Sequence, residues 1–457
     1  MPDRARDRDA KCLVHVQAST SGCVRRDTNT QEEDNAMRFI HAADIHLDSP
    51  LHGLSAYADA PADMLRNATR EAFSKLVSIA IDEQVDFMII AGDLYDGTWR
   101  DHNTGIFFCK EMGKLRRANI PVYVLYGNHD AESEMTSQLQ LPDNVHTFST
   151  RKPQTYRIDA LKVALHGHSF KDKAVTANLA TAYPSPVDGY FNIGVLHTAL
   201  EGSSAHANYA PCTVAELHAR EYHYWALGHV HEFAMWDEAS TIVFPGNLQG
   251  RNIRETGRRG AVIVNVSESD EVSVERLFID VLRWESVTVD AAGLATLDEV
   301  ARAAGRALEA LIERAERPVP HAVRVTVTGA TKAHGELFAN ATQLRAEVLA
   351  QIAAISHDSL WLEKVKVTTQ PIARDLAASR LDGAADALAD LHGLLIEAES
   401  DPEFLALLKD RLITLASQAP AELQKSVPEL EYVRDGDLAK LVSEVRCGLI
   451  AQLADAE

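Results

Sequence analysis

Five groups of polar residues recur in order through the first half of this chain: Asp44-x-His46, Gly92-Asp93-x-x-Asp96, Gly127-Asn128-His129-Asp130, His197 and Gly228-His229-x-His231. Their donors are carboxylate, amide oxygen and imidazole, with no thiolate. That mixture suits Mn, Fe or Zn better than a structural zinc site. There are enough donors for two ions. Two metals roughly 3.5–4 Å apart stabilise both the attacking and the leaving oxygen of an in-line displacement, which is the chemistry of phosphate-ester hydrolysis. One carboxylate must bridge such a pair, and Asp93 is the natural candidate.

The groups need elements that deliver them to one place. Each follows a short apolar run: residues 38–43, 85–91, 120–126, 191–196 and 224–227. Such runs, bounded by Gly and polar residues, suit strands buried on both faces. Ligands of an α/β sheet gather beyond the carboxyl ends of its strands. Asp-x-His and His-x-His put both side chains on one side of an extended segment, because strand side chains alternate with period two. A lone buried His or Asp is more often a structural residue, but packing alone does not explain all five groups in this order. Asp96 and Asp130 read as residues that orient histidines or backbone rather than as ligands. His166-Gly167-His168 falls between the expected groups and reads as structural, and His41 as core. His52, His102, His206, His218 and His223 have no usable partner spacing.

The set closely resembles the calcineurin-like metallophosphoesterase superfamily, whose pattern D-x-H, G-D-x-x-D, G-N-H-D/E, H and G-H-x-H is present in full. The flanks His41-Ala42-Ala43-Asp44-Ile45-His46-Leu47-Asp48-Ser49-Pro50-Leu51, Pro245-Gly246-Asn247-Leu248-Gln249-Gly250 and Arg251-Asn252-Ile253-Arg254-Glu255 are similar to the SbcD/YhaO-type DNA repair exonucleases. Those are nuclease partners of coiled-coil ATPases. The resemblance implies that Asp44, His46 and His231 hold one metal. It implies that Asp93 bridges to a second, completed by Asn128, His197 and His229. His129 would contact the scissile phosphate and assist the leaving group. A metal-activated water, its pKa lowered toward roughly 7 as on zinc, would attack phosphorus. The implied cofactor is two divalent ions, Mn2+ first and Fe or Zn next. The implied partners are DNA and a coiled-coil ATPase subunit of the SbcC/YhaN type, with a homodimer as a further candidate.

Length and composition set the frame. The chain has 457 residues and a net charge of −21, with apolar and charged fractions typical of soluble globular proteins. Its acidity counts against broad non-specific DNA binding, which leaves a basic footprint. Two divalent ions and the local run Arg251, Arg254, Arg258 and Arg259 offset this, with Arg251 and Arg254 as candidate DNA-phosphate contacts. The five cysteines form no C-x-x-C pair, so a reducing cytoplasm is the simpler reading. No apolar stretch is long enough to span a bilayer.

The expected fold is α/β: a two-sheet metallophosphoesterase sandwich over 37–280, a small α+β cap over 281–372 and a helical region over 373–457 that could dock a partner. Residues 1–36 read as a disordered extension. In the cap, strands at 287–289, 322–328 and 360–367 alternate with helices at 297–314 and 333–354. The leading functional expectation is a dimetal DNA exonuclease, with endonuclease activity as an added candidate. The alternative is a small-molecule or cyclic-nucleotide phosphodiesterase on the same core. A scaffold without turnover is disfavoured, because no ligand position is missing.

Overall fold

The computed structural model describes residues 35–49, 62–96, 102–131, 140–200, 209–315, 319–355, 359–372, 394–418, 432–434, 436–443 and 445–446. Residues 1–34 of the expected extension, Pro50 and Leu51 of the first flank, and most of the helical reading beyond residue 373 lie outside the described residues, whereas Asn35 and Ala36, the last two of that extension, open the first strand.

The first layer begins with β1 (Asn35–Ala42), α1 (Ala62–Asp82), β2 (Phe87–Ala91), α2 (His102–Arg117), β3 (Val122–Leu125), a single turn α3 (Asn128–Ala131) and β4 (Val145–Thr147). The second holds β5 (Gln154–Ile158), β6 (Val163–Gly167), β7 (Phe191–His197), α4 (Val214–His218), β8 (Tyr224–Gly228), β9 (Ala234–Asp237) and β10 (Thr241–Phe244). The chain then returns to the first layer as β11 (Gly260–Ser267) and β12 (Val272–Phe278). The sheet orders are β12-β11-β1-β2-β3-β4 and β5-β6-β7-β8-β10-β9. This is the two-sheet α/β sandwich expected from the sequence.

Alternation along the strands explains the layering. Met37 and Phe39 of β1 and Phe87 and Ile89 of β2 point between the sheets, where they meet Leu165, Ile193, Val195 and Tyr224. Ile40, Ala42, Met88 and Ile90 point the other way, onto Ala72, Phe73, Leu76 and Val77 of α1 and Phe108 and Met112 of α2. Both faces of β1 and β2 are therefore dry, which is why these strands read as continuous apolar runs. Truncating such a fully buried residue, Leu76→Ala for example, costs about 2–5 kcal/mol. His41 belongs to this interior: its ring bonds Tyr224 Oη (3.0 Å) and the Leu227 carbonyl (3.1 Å). Burial lowers its pKa to about 3, so it sits neutral in the core.

A third sheet follows, built from β13 (Arg283–Asp290), α5 (Leu297–Glu313), β14 (His321–Thr328), α6 (His334–Ala339), α7 (Ala341–Ile355) and β15 (Leu360–Val367). Its strands lie in the order β13-β14-β15, parallel throughout. Thr296 caps α5 by accepting from Glu299 N. The apolar stripe Leu297, Val300, Ala304 and Leu308 packs onto Val323, Val325 and Val327. The single helix expected over 333–354 is two helices, interrupted at Asn340, whose backbone (φ −116°, ψ 39°) leaves the helical region. Trp284, Leu282 and Ala322 join this sheet to Ala68 of α1. Farther on, α8 (Pro402–Gln418) lays Leu405, Leu408 and Leu412 against Val433, Leu438 and Leu441.

Candidate metal centre

Strands β1, β2 and β3 are mutually parallel, and so are β7, β8 and β10. Their carboxyl ends face one edge of the sandwich. Asp44 lies just beyond β1, Asp93 beyond β2, Asn128 beyond β3 and His229 beyond β8, while His197 closes β7. The first two loops run side by side: Asp44 N donates to Gly92 O and His46 N to Asp93 O, each at 3.0 Å. Asp44, His46, Asp93 and His229 all take positive φ (50°, 46°, 50° and 100°). Non-glycine residues enter that region only at a cost of about 1–2 kcal/mol each. Gly92 takes φ +96°, and a Cβ there would strike the His197 ring; a Cβ on Gly228 would strike the Ala91 carbonyl.

Among the described residues, three groupings of possible ligand atoms result: Asp44, His46 and His231; Asp93, His197 and His229; and His46, Asp96 and His129. In the first, His46 Nε2 and His231 Nε2 are 3.3 Å apart, and His231 Nε2 is 3.7 Å from Asp44 Oδ1. In the second, His197 Nε2 lies 3.4 Å from Asp93 Oδ2 and 3.0 Å from Asn128 Oδ1. Asp93 Oδ2 is also 3.9 Å from His46 Nε2, so this carboxylate faces both groups. The far nitrogens are already engaged. His197 Nδ1 bonds the Ala91 carbonyl (3.1 Å), and His231 Nδ1 bonds Glu255 Oε1 (2.9 Å). Those bonds fix the tautomers and leave Nε2 as the electron-pair donor, the arrangement seen around metal-ligating histidines. Buried imidazole nitrogens converging with carboxylates fit two divalent cations.

The electrostatics agree. Burial opposes ionisation of Asp93, but His197, His46 and His129 hold its carboxyl well below the usual range. Burial also opposes protonation of His197, yet Asp93 and Asp44 raise its pKa to about 9. Burial lowers His46, helped by Arg251, and raises Asp44. Buried carboxylates that draw a proton onto a neighbouring imidazole make a strongly negative field. Metal binding at such a site releases protons.

The family model described as calcineurin-like phosphoesterase matches residues 37–233. That match spans most of the two-sheet region. A second model, the middle domain of metallophosphoesterase YhaO, matches residues 284–370, the three-stranded region. The protein named uncharacterized metallophosphoesterase YhaO of Bacillus subtilis (strain 168) is 36% identical over 258 residues. That span is 56% of this chain and 63% of the relative. Among solved structures, a dimetal phosphatase from Danio rerio is similar at 12% identity and TM-score 0.34, covering 54% of this chain and 99% of that one. The protein TT1561 of Thermus thermophilus is similar at 13% identity and TM-score 0.32, covering 52% and 98%.

The remaining site residues take definite places around this candidate centre. His129 is about one-third exposed, with Nδ1 3.1 Å from Asp96 Oδ1. Asp96 also accepts from Ser49 Oγ at 2.7 Å and lies 3.8 Å from His46 Nδ1. The hydrogen bond to Asp96 raises the His129 pKa against the effect of burial. Asp130 is fully buried and accepts from the backbone N–H groups of Leu94, Tyr95 and Gly127, so it ties the second loop to the third. Burial and the nearby Asp93 raise its pKa to about 7. Arg251 turns inward to Glu255 (3.0 Å), with its Nη2 3.4 Å from His231 Nδ1. Arg254 is exposed. His166 is outside the centre, bonded to Thr155 and Asn192 and stacked on Tyr222.

Sequence reasoning missed the part played by Glu255 and Asn247. Glu255 accepts from His231, Arg251 and Asn247, and Arg259 donates to the His231 carbonyl. A buried carboxylate answering the last histidine is a pattern that spacing alone does not expose. The signal available was the Arg251–Glu255 i,i+4 pair, which is ordinary on any surface loop.

Proposed function

We propose that this chain is a metallophosphoesterase that cleaves DNA as a dimetal-dependent exonuclease, with endonuclease activity as an added capacity. The observation that carries the phosphodiester reading is the convergence of two ligand groups on Asp93, with His129 at their open side. When bound, two divalent cations would supply Lewis-acid charge for the phosphoryl oxygens and activate a water. The chain's own residues do the rest. Asp96 holds His129 by Nδ1, which leaves Nε2 as the proton donor to a leaving oxygen. Asp130 fixes the turn that carries Asn128 and His129. Glu255 and Ala91 O hold His231 and His197 in orientation. Exposed Arg254, and Arg251 turned in to Glu255 beside His231, are the proposed DNA-phosphate contacts. Mn2+ is the proposed metal, since the donor set is oxygen and imidazole only.

DNA is favoured as the substrate by the sequence likeness of the flanks around Asp44 and Asn247 to SbcD/YhaO-type nucleases. A coiled-coil ATPase of the SbcC/YhaN type is the proposed partner. Helix α8 supports this, leaving Phe404 (37%) and Leu407 (60%) exposed as apolar anchors one turn apart. A cytoplasmic location and a homodimer belong to the same proposal. No helix among the described residues is long and apolar enough to cross a membrane.

The test is a Mn-supplemented assay of the purified chain on end-labelled linear DNA, bis-p-nitrophenyl phosphate and a cyclic nucleotide. Release of nucleotides from DNA is expected. Hydrolysis of the small esters with DNA left intact would replace the nuclease by a small-molecule phosphodiesterase.

A further inference from the structure

Three arginines gather at the side of the metal-bearing edge. The register of β11 places them: β1 pairs His41 with Val262, and β12 pairs Arg276 with Val262 and Phe278 with Gly260. Arg276 and Phe278 are thus level with the end of β1 that delivers Asp44. On the second sheet, Ala234 of β9 pairs with Phe244 of β10, so Phe233 lies at the same end. Across this corner the Arg276 guanidinium sits 4.4 Å from the Phe233 ring and 4.8 Å from the Phe278 ring, and Arg258 sits 4.9 Å from Phe278. Arg259 links the corner to the centre, donating to the His231 carbonyl and, at 2.6 Å, to Glu232.

Arginines are concentrated at this corner of an acidic molecule. The chain as a whole carries −21. Here three guanidinium groups lie together, Arg259 paired with Glu232 and Arg258 and Arg276 set over phenyl rings. Burial, with Arg259 beside it, weakens the hold of Arg276 on its proton, and Glu232 opposes that shift. Covering the apolar margin between β9 and β12 would need one long side chain, not three like charges. Planar guanidinium groups lying on phenyl rings suit two ligand features at once. They bind phosphate through their N–H edges and offer flat faces on which bases stack.

We propose that Arg258, Arg276, Phe233 and Phe278 form a subsite for a single-stranded nucleic acid running away from the metal centre. Arg258 and Arg276 meet its phosphates, and the stacked guanidinium–phenyl faces carry one of its bases. The proposal rests on the DNA-cleavage reading above and adds the path by which a strand leaves the centre.

The experiment uses the full chain supplied with Mn2+ and a fluorescein-labelled, phosphorothioate single-stranded oligonucleotide that resists cleavage. Anisotropy is read across a salt series for the wild type, the double variant Arg258→Gln/Arg276→Gln and the double variant Arg258→Lys/Arg276→Lys. The Gln variant should bind about tenfold more weakly, the loss of one stacked base with its contacts. Its log–log salt slope should be shallower by about 1.4, the value for two phosphate contacts on a single strand. The Lys variant should recover the slope but not the affinity, because ammonium keeps the charge and loses the planar stack. Hydrolysis of bis-p-nitrophenyl phosphate should stay within about twofold in both variants, showing an intact centre. Equal affinity and slope in wild type and Gln variant would overturn the subsite, as would a wild type that fails to bind the oligonucleotide. If binding drops as expected while the wild type cuts no DNA, the nuclease reading fails and the subsite stands.

Discussion

At the entry end of the sandwich, Gln84, Asn119, Lys162, Glu221 and Asp270 turn the chain with φ between 51° and 64°. At the exit end Asp44, His46, Asp93 and His229 do the same, with φ from 46° to 100°. The backbone cost is alike, but the surroundings differ. The five entry residues are all exposed and simply feed the next strand. The four exit residues are all buried, and their side chains point at one another. Strain at the entry end is an ordinary turn that any small polar residue, or glycine, could make. Strain at the exit end holds charged donors where the interior would otherwise reject them. Substitutions at the two ends should therefore act on different properties.

The largest effect belongs to Asp93→Asn. Its carboxylate faces both ligand groups and accepts from His129 N at 3.0 Å. An amide of the same shape keeps the packing but removes the charge that draws cations in. Phosphodiester hydrolysis should fall below detection, and plasma-mass analysis should find fewer than two metals per chain. Full metal content with wild-type turnover would break the assignment of the exit end.

His129→Ala comes next. The ring is one-third exposed and is held through Nδ1 by Asp96, outside the two groups that converge on Asp93, so its loss leaves those groups standing. Turnover should drop about 10²–10⁴-fold, the usual worth of a positioned general acid. Metal content should not change. The loss should be smaller for an ester with a good leaving group such as p-nitrophenol, which needs little protonation. An equal loss on all esters would mean that His129 holds structure rather than moving a proton.

The apolar runs ending at Asp44, Asp93, Asn128, His197 and His229 were legible in the sequence as strands, because burial on both faces leaves an unmistakable pattern. The interruption at Asn340 was invisible, since Ala and Leu continue on both sides of it. The arginine run after residue 250 could not be resolved into separate roles from the sequence. Its spacing lies in a loop, where no period tells direction. Arg251 turns in to Glu255, Arg259 is buried against the His231 carbonyl, Arg258 lies on Phe278, and only Arg254 stands out into solvent. Glu255 escaped notice for the same reason.

Glu255→Gln should rank third in effect. It keeps a hydrogen-bond acceptor for His231 but loses the charge that polarises the ring. Substituting such outer partners typically costs 10–100-fold in metal affinity or activity. Titration calorimetry should show one weakened metal event while the other, around His197, is unchanged. Glu255→Ala should be worse, because Arg251 and Asn247 then lose their shared acceptor. If both metals weaken equally, Glu255 supports the loop as a whole and not His231 in particular.

The smallest effect lies at the entry end and completes the comparison. Lys162 sits at φ 54° between β5 and β6, exposed, with its ammonium 5.2 Å from the Tyr190 ring. Replacing it with glycine removes about 1–2 kcal/mol of backbone strain and adds about 0.5–1 kcal/mol of chain entropy lost on folding. The exposed cation–ring contact that disappears is worth about 0.5 kcal/mol. The sum runs from about 1 kcal/mol of gain to about 0.5 kcal/mol of loss, so the urea midpoint of Lys162→Gly should not fall clearly, and activity should not move at all. Strain can be removed from the entry end without consequence because nothing there depends on the side chain's direction. A clear loss of activity in Lys162→Gly would mean that the two ends are coupled through the sheets, and that the exit geometry is not set by its own loops.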